Sequence, residues 1–298
     1  VVPVREIATP EVNPIRRVGV VGAGLMGSGI AEVCARAGLD VVVREVNTAA
    51  LSDGERRIRR SLERGVSSGK LSEEASREAS ELMTFTTDLD DLSACQVVIE
   101  AVVEDEEAKL EVFAALDRVV ADPRAVLASN TSSIPIMTLA MATERPERVI
   151  GIHFFNPVPV LKLVELVTSL LTSDETATTA RTFVTQGLGK LVISSQDRAG
   201  FVVNSLLIPY ILSAVRMFES GFATAEDIDT GMVEGCAHPM GPLALADLIG
   251  LDTTRAVADS MYEEFKEPLY APPPLLVRMV DAGLLGRKTG RGFYPYDR

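Results

Sequence analysis

The sequence predicts an α/β fold, a mostly parallel sheet with helices on both faces, followed by an all-α C-terminal region. Three observations carry that expectation. Short apolar, β-branched runs alternate with helix-forming segments from residue 17 to about residue 193. A glycine-rich turn joins the first apolar run to the first helical segment. After about residue 197 strand-like runs stop and helical periodicity takes over.

Each element has a local reason. Residues 17–22, RVGVVG, form a buried strand that ends in glycine. Residues 25–37 place Leu25, Ile30, Val33, Cys34 and Ala37 on an apolar stripe, with Gly38 where a helix C-terminal glycine belongs. Val41–Val43 is a second strand, closed by Arg44 and Glu45. A helix between two strands implies parallel pairing. Residues 48–66 and 72–82 read as helices and Met83–Thr86 as a strand. Strands follow at Gln96–Val102, Ala125–Ala128, Val149–Phe155, Leu163–Val167 and Lys190–Ile193. Helices are expected at Glu106–Val120, Ile134–Met141 and Asp174–Gly187. The C-terminal region reads as helices over 201–220, 225–235, 242–264 and 273–282, with Pro209 expected to kink or interrupt the first. The pattern changes in SSQDRAG, residues 194–200. The expected organisation is therefore a proline-containing arm over 1–14, an α/β domain over 15–197 and a helical domain over 198–298.

Composition narrows the function. The chain has 298 residues, enough for two domains, and 42 acidic against 29 basic residues leave a formal charge of −13. That charge argues against nucleic acid and membrane surfaces as partners, because both are polyanionic. No run approaches the length of a membrane span, and the N-terminus lacks the layout of a secretion signal. Cys34, Cys95 and Cys236 are widely spaced and odd in number, which points to a reducing, cytoplasmic setting rather than a disulfide framework. Only His153 and His238 are present, so no Cys/His metal site is expected.

Gly22-Ala23-Gly24-Leu25-Met26-Gly27 is a G-x-G-x-x-G turn between a strand and a helix, the context of a Rossmann-type dinucleotide site. Gly22 permits the tight turn, Gly24 the approach of a pyrophosphate, and Gly27 close packing of helix on strand. Glu45, at the end of the second strand, is placed to accept hydrogen bonds from ribose hydroxyls. Its charge favours NAD over NADP, whereas Arg44 beside it is the residue type that accommodates a 2′-phosphate; FAD also uses this fold.

Other features have two readings each. Between Glu55 and Lys70 lie Arg56, Arg57, Arg59, Arg60 and Arg64, with positions 56, 60 and 64 on one helical face. This is either an anion site or a solvated face. Asn130-Thr131-Ser132-Ser133 follows a buried strand, where it can bond a substrate oxygen or cap the next helix. His153 ends a strand, and Glu165 lies 12 residues on, in the next one. A histidine beside a carboxylate is a general base; the alternative is a hydrogen-bonded core histidine. His238 lies between helices with no such partner in view and reads as structural.

Taken together, VGVVGAGLMGSGIA, VVIEAVVED, LASNTSSIPI, GIHFFNPVPVLKLVELV, GFVVNSLLIPY, HPMGPLALADLIGLD and GRKTGRGFY resemble the L-3-hydroxyacyl-CoA dehydrogenases, particularly the free-standing bacterial 3-hydroxybutyryl-CoA dehydrogenases. The resemblance runs from about residue 16 to the C-terminus. It implies reversible oxidation of a 3-hydroxyacyl-CoA, of short chain, by NAD, and a homodimer through the helical domain. It implies that His153 is the general base/acid, that Glu165 is its partner, and that Ser132 and Asn204 hold the substrate oxygen. Gly22, Gly24, Leu25, Met26, Gly27, Glu45, Glu104, Lys109 and Lys288 take the cofactor positions, and Ser61 and Lys70 substrate positions on the CoA-facing helix. The family more often has Asp at the position of Glu45. Two rivals are a related dehydrogenase of a free hydroxy acid or sugar acid, and a non-catalytic, crystallin-like protein. The intact Ser132, His153, Glu165 and Asn204 set oppose the second.

Overall fold

The computed structural model describes residues 15–296. The arm expected over residues 1–14 lies outside the described residues. The chain forms two compact units, one of residues up to Thr131 together with Ile136–Ser194, the other of Ser132–Pro135 together with the chain from Ser195 onward.

The first unit is built on an eight-stranded sheet. Its strands are β1 (Arg17–Val21), β2 (Asp40–Arg44), β3 (Met83–Thr86), β4 (Val97–Glu100), β5 (Val126–Ser129), β6 (Val149–Phe154), β7 (Leu163–Thr168) and β8 (Leu191–Gln196), in the order β3-β2-β1-β4-β5-β6-β7-β8. Strands β1 to β6 pair in parallel, and β6 with β7 antiparallel. The reason for the reversal is length: the segment joining β6 to β7 is too short for a crossover helix, so the chain must turn back beside itself. That turn sets the register Gly151↔Val167 through Phe154↔Val164, with His153 opposite Glu165.

Helices α1 (Leu25–Arg36), α2 (Thr48–Ser67), α3 (Glu73–Glu81), α4 (Glu106–Val119), α5 (Ile136–Ala140) and α6 (Asp174–Thr182) alternate with the strands. Several start where the sequence supplies an oxygen for an orphan N–H. Asn47 accepts from Ala50 N at α2, Ser72 from Ala75 N at α3, Asp105 from Ala108 N at α4 and Ser173 from Thr176 N at α6. The expected helix 174–187 ends its regular part at Thr182, and Phe183–Gly187 form a wider π turn. The core gathers Val18, Val20, Ile30, Val41, Val43, Ile58, Ile99, Ile150, Ile152 and Phe154, all essentially dry. In the inner strands β1, β4, β5 and β6 residues on both faces are buried, as parallel sheets require, whereas the edge strands β3 and β8 are half-buried to exposed.

The second unit is helical: α7 (Val203–Glu219), α8 (Ala225–Cys236), α9 (Pro242–Ile249), α10 (Leu251–Phe265) and α11 (Pro274–Asp281). The helix expected over 242–264 is two helices. Gly250, at φ 104, breaks it between Ile249 and Leu251, a conformation that glycine adopts without penalty. Helix α7 runs across Pro209 without interruption. Two buried acids organise this unit. Asp229 accepts from Leu243 N and Ala244 N at the start of α9 and from the Tyr294 hydroxyl. Asp247 accepts from Phe293 N, Tyr294 N and the Tyr296 hydroxyl, which holds the C-terminal segment.

Candidate active site

The glycine turn uses its three glycines for different physical reasons. Gly22 has φ +93, and a Cβ there would lie 2.6 Å from Ala101 O. A Cβ on Gly27 would lie 1.8 Å from Gly22 O. Both positions are demanded by the fold. Gly24 is different: a Cβ there meets nothing within 4 Å. It is the N-cap of α1, with no side-chain cap bond and no acid in the first turn. The start of that helix, with Leu25 exposed and Met26 half-buried, therefore offers N–H donors and a positive dipole end to an anion. These residues fit a dinucleotide pyrophosphate.

The turn is held from two sides at Ala23. Glu45, from the carboxyl end of β2, accepts the Ala23 N–H on Oε1 at 2.6 Å and the Val46 N–H on Oε2 at 3.0 Å. Arg57 of α2 donates through Nη1 to Ala23 O at 2.6 Å, and the Ser28 hydroxyl donates to the same oxygen at 2.7 Å. Gly54 makes this approach possible, since a Cβ there would lie 2.3 Å from Ala23 Cβ.

The β6–β7 register brings His153 Nδ1 to 2.8 Å from Glu165 Oε2, with the histidine 5% exposed and the glutamate fully buried. A buried carboxylate needs such a partner. Donation from Nδ1–H to the carboxylate places the imidazole lone pair on Nε2, the form required of a general base. The Phe155 ring sits 4.7 Å from the imidazole, centroid to centroid. Asn130, at the end of β5, accepts the Phe154 N–H at 2.9 Å and so ties the start of the NTSS segment to the histidine strand.

Lys109 of α4 is buried, with Nζ 2.5 Å from Glu100 Oε1 and 3.3 Å from Glu104 Oε2. Glu104 also accepts the Thr131 hydroxyl at 2.6 Å. On α2, Ser61 is half-buried; Lys70, beyond its end, is exposed, as are Arg60 and Arg64. Arg56 pairs with Asp53. In the helical unit, Ser132 lies on the segment after β5 and Asn204 in the first turn of α7, both half-buried. Lys288 pairs with Asp252 at 2.6 Å. His238 Nδ1 lies 3.1 Å from the Tyr210 hydroxyl. Among the described residues, no group of three or more His, Cys, Asp or Glu side chains is placed to hold a metal ion, and no helix is long and apolar enough to cross a membrane.

Sequence reasoning passed over three residues that the structure makes prominent. Arg57 is hidden in a run of arginines. Glu100 carried a usable signal, a carboxylate inside the apolar run VVIEAV, which burial obliges to find a partner. Lys190 is the third: its ammonium donates to Val158 O and Leu161 O, pinning the β6–β7 connection. Burial holds Lys190 below the ordinary lysine value, with Arg36 adding to the effect. Burial likewise pushes the neighbouring Cys34 thiol up to about 12, against the pull of Lys190.

Residues 17–198 match the family model for the 3-hydroxyacyl-CoA dehydrogenase NAD binding domain, and residues 200–296 that for the 3-hydroxyacyl-CoA dehydrogenase C-terminal domain. A 3-hydroxybutyryl-CoA dehydrogenase of Mycobacterium tuberculosis is 64% identical over 284 residues, spanning 95% of this chain and 99% of that protein. The crystal structure of FadB2 from M. tuberculosis superposes with a TM-score of 0.95 at 63% identity, covering 96% of this chain and 100% of that one. That of (S)-3-hydroxybutyryl-CoA dehydrogenase PaaH1 from Ralstonia eutropha gives a TM-score of 0.90 at 47% identity, covering 96% and 100%.

Proposed function

The chain belongs to the 3-hydroxyacyl-CoA dehydrogenase family, and on that premise we propose that it interconverts a short L-3-hydroxyacyl-CoA, such as 3-hydroxybutyryl-CoA, and the 3-ketoacyl-CoA, with His153 as general base and acid. It is an NAD-dependent dehydrogenase. The observation that carries the mechanistic reading is the buried His153–Glu165 pair at 2.8 Å.

Bound NAD supplies the hydride acceptor. In the oxidative direction Nε2 of His153 takes the proton of the substrate's 3-hydroxyl as the C3 hydride departs, so that a neutral ketone forms rather than a charged carbon centre. Glu165 stabilises the resulting imidazolium and keeps the ring oriented. In reduction the imidazolium returns that proton to the forming alkoxide. Ser132 and Asn204 hold the substrate oxygen, the positioning part of the rate enhancement. Glu45 takes the ribose hydroxyls, and Glu104 and Lys288 complete the cofactor contacts; Lys109, expected among them, is 1% exposed and serves the site through Glu104. Ser61, Lys70 and the exposed Arg60 and Arg64 face the CoA nucleotide.

We assign the α/β domain, residues 15–197, to NAD binding, and the helical domain, residues 198–298, to substrate binding and homodimer contact. Leu206 and Met217, exposed on α7, and Phe222 just beyond it support the dimer reading. A cytoplasmic location agrees with the free thiols of Cys34, Cys95 and Cys236.

The test is NADH consumption with acetoacetyl-CoA, beside matched reactions with NADPH and with free acetoacetate. Oxidation of NADH with the CoA thioester alone supports the reading. Equal rates with free acetoacetate would overturn the need for CoA. Light scattering of the protein and of Leu206→Glu reads the oligomer: a dimer that the substitution dissociates is expected, and a monomeric parent would refute that part.

A further inference from the structure

Five polar side chains close a ring at the carboxyl ends of β4 and β5. Glu100, the last residue of β4, accepts the Val102 N–H at 2.7 Å and Lys109 Nζ at 2.5 Å on Oε1, and the Ser129 hydroxyl at 2.6 Å on Oε2. Ser129 Oγ accepts the Thr131 N–H at 3.1 Å. The Thr131 hydroxyl donates to Glu104 at 2.6 Å, and Glu104 returns to Lys109 at 3.3 Å. Glu100 and Ser129 are fully buried, and Lys109 and Thr131 are 1% exposed.

The ring lies against the dinucleotide turn. Ala101 donates to Val21 O at 2.8 Å, and a Cβ on Gly22 would meet both Ala101 O and Val102 N. The segment 101–105, which Glu100 and Lys109 anchor from below, is thus pressed onto the glycine turn. This is the edge at which open α/β sheets bind ligands.

Stability alone does not call for such an arrangement. Burying a lysine and a glutamate costs desolvation that apolar residues of equal volume avoid, so a buried ion pair is poor evidence of stabilisation. What the ring does supply is placement. Lys109 has a fixed position because Glu100 holds it, and Glu104 has one because Lys109 and Thr131 hold it.

We infer that Glu100 is a positioning residue of the NAD site, acting through Lys109 to fix Glu104 and the segment 101–105 against the glycine turn. The inference rests on the cofactor half of the functional reading and is independent of the acyl-CoA half.

Calorimetric titration with NADH tests it, because binding is read without substrate. Glu100→Gln keeps the shape and removes the anion that faces Lys109. Its Kd for NADH is expected to rise about tenfold. Thr131→Val opens the ring at Glu104 without stranding a buried charge, and a severalfold rise is expected. The double variant Glu100→Gln/Lys109→Met discriminates placement from folding. It removes both buried charges, so its melting temperature recovers towards that of the parent. A positioning role keeps its Kd raised, since Glu104 has lost its tie to Lys109. An unchanged Kd in Glu100→Gln and Thr131→Val, or a Kd in the double variant that recovers together with the melting temperature, would overturn the inference. Should Glu100→Gln not fold, Thr131→Val and the double variant decide the matter. A parent protein that binds NADH yet ignores acetoacetyl-CoA would refute the substrate reading and leave this one standing.

Discussion

Arg57 donates to the carbonyl oxygen of Ala23 at 2.6 Å, so a side chain of α2 holds the dinucleotide turn from the side opposite Glu45. Arg57→Ala removes a charge-assisted hydrogen bond worth about 1.5–3 kcal/mol, of which its partial exposure returns a share to water. The expected outcome is a rise of about tenfold in the KM for NAD, with turnover at saturation changed less. Initial rates across NAD concentrations check it.

The glycines make a paired prediction. Gly24→Ala adds a methyl group where nothing lies within 4 Å, so the melting temperature should hold while NAD binding weakens by about tenfold or more. Gly27→Ala drives a Cβ into Gly22 O and should lower the melting temperature by several degrees, since overpacking costs about 1–3 kcal/mol. Thermal melts and NADH titration of the two variants separate the roles.

His153→Gln should cut turnover by about 10²–10⁴-fold, the range of general acid–base catalysis, while NADH binding is retained. Glu165→Gln should lose a comparable share of activity, because the amide cannot stabilise the imidazolium. Turnover within threefold of the parent in either variant would remove the dyad from the mechanism.

Thiol chemistry follows from burial. Cys34 is pushed up to about 12, and Cys95 to about 11, both chiefly by burial, whereas Cys236 is exposed at the end of α8. A disulfide reagent should modify Cys236 rapidly in the native protein and all three cysteines only after denaturation. Mass spectrometry of the labelled peptides identifies the site.

Asp247 sets a pH dependence. Burial raises its carboxyl above 3.8, with the charge of Asp229 adding, against hydrogen bonds from Tyr294 N, Phe293 N and Tyr296. The folded state therefore holds this proton more tightly than the unfolded chain does, and the group's contribution to stability falls as pH rises through the window above 3.8. Asp247→Ala strands those donors and should cost about 2–4 kcal/mol. The gap between parent and variant should widen as pH falls through that window. Urea melts across pH measure both effects.

The chain order of elements and much of the site were legible in the residues themselves. Gly22, Gly24 and Gly27 between a strand and a helix specify a dinucleotide turn, because few other sequences let backbone approach phosphate so closely. The caps at Asn47, Ser72, Asp105 and Ser173 are equally local chemistry, but it is the structure that shows the N–H groups they accept. The HFFNP segment singled out His153. By contrast, the apolar pattern across residues 242–264 runs through Gly250 unbroken, and only its φ of 104 shows two helices.

What the sequence by itself determined is local: backbone geometry, caps, periodicity and the residue types available for chemistry. Tertiary structure alone decided which charges meet. A spacing of 12 residues does not pair His153 with Glu165; the antiparallel turn from β6 to β7 does. A cluster of arginines does not say that Arg57 turns to Ala23 while Arg56 pairs with Asp53. Nor does the run VVIEAV name Lys109 as the partner of Glu100. The physical reason is that a hydrogen bond or ion pair acts over about 3 Å, a distance that chain separation leaves open and packing of whole elements closes.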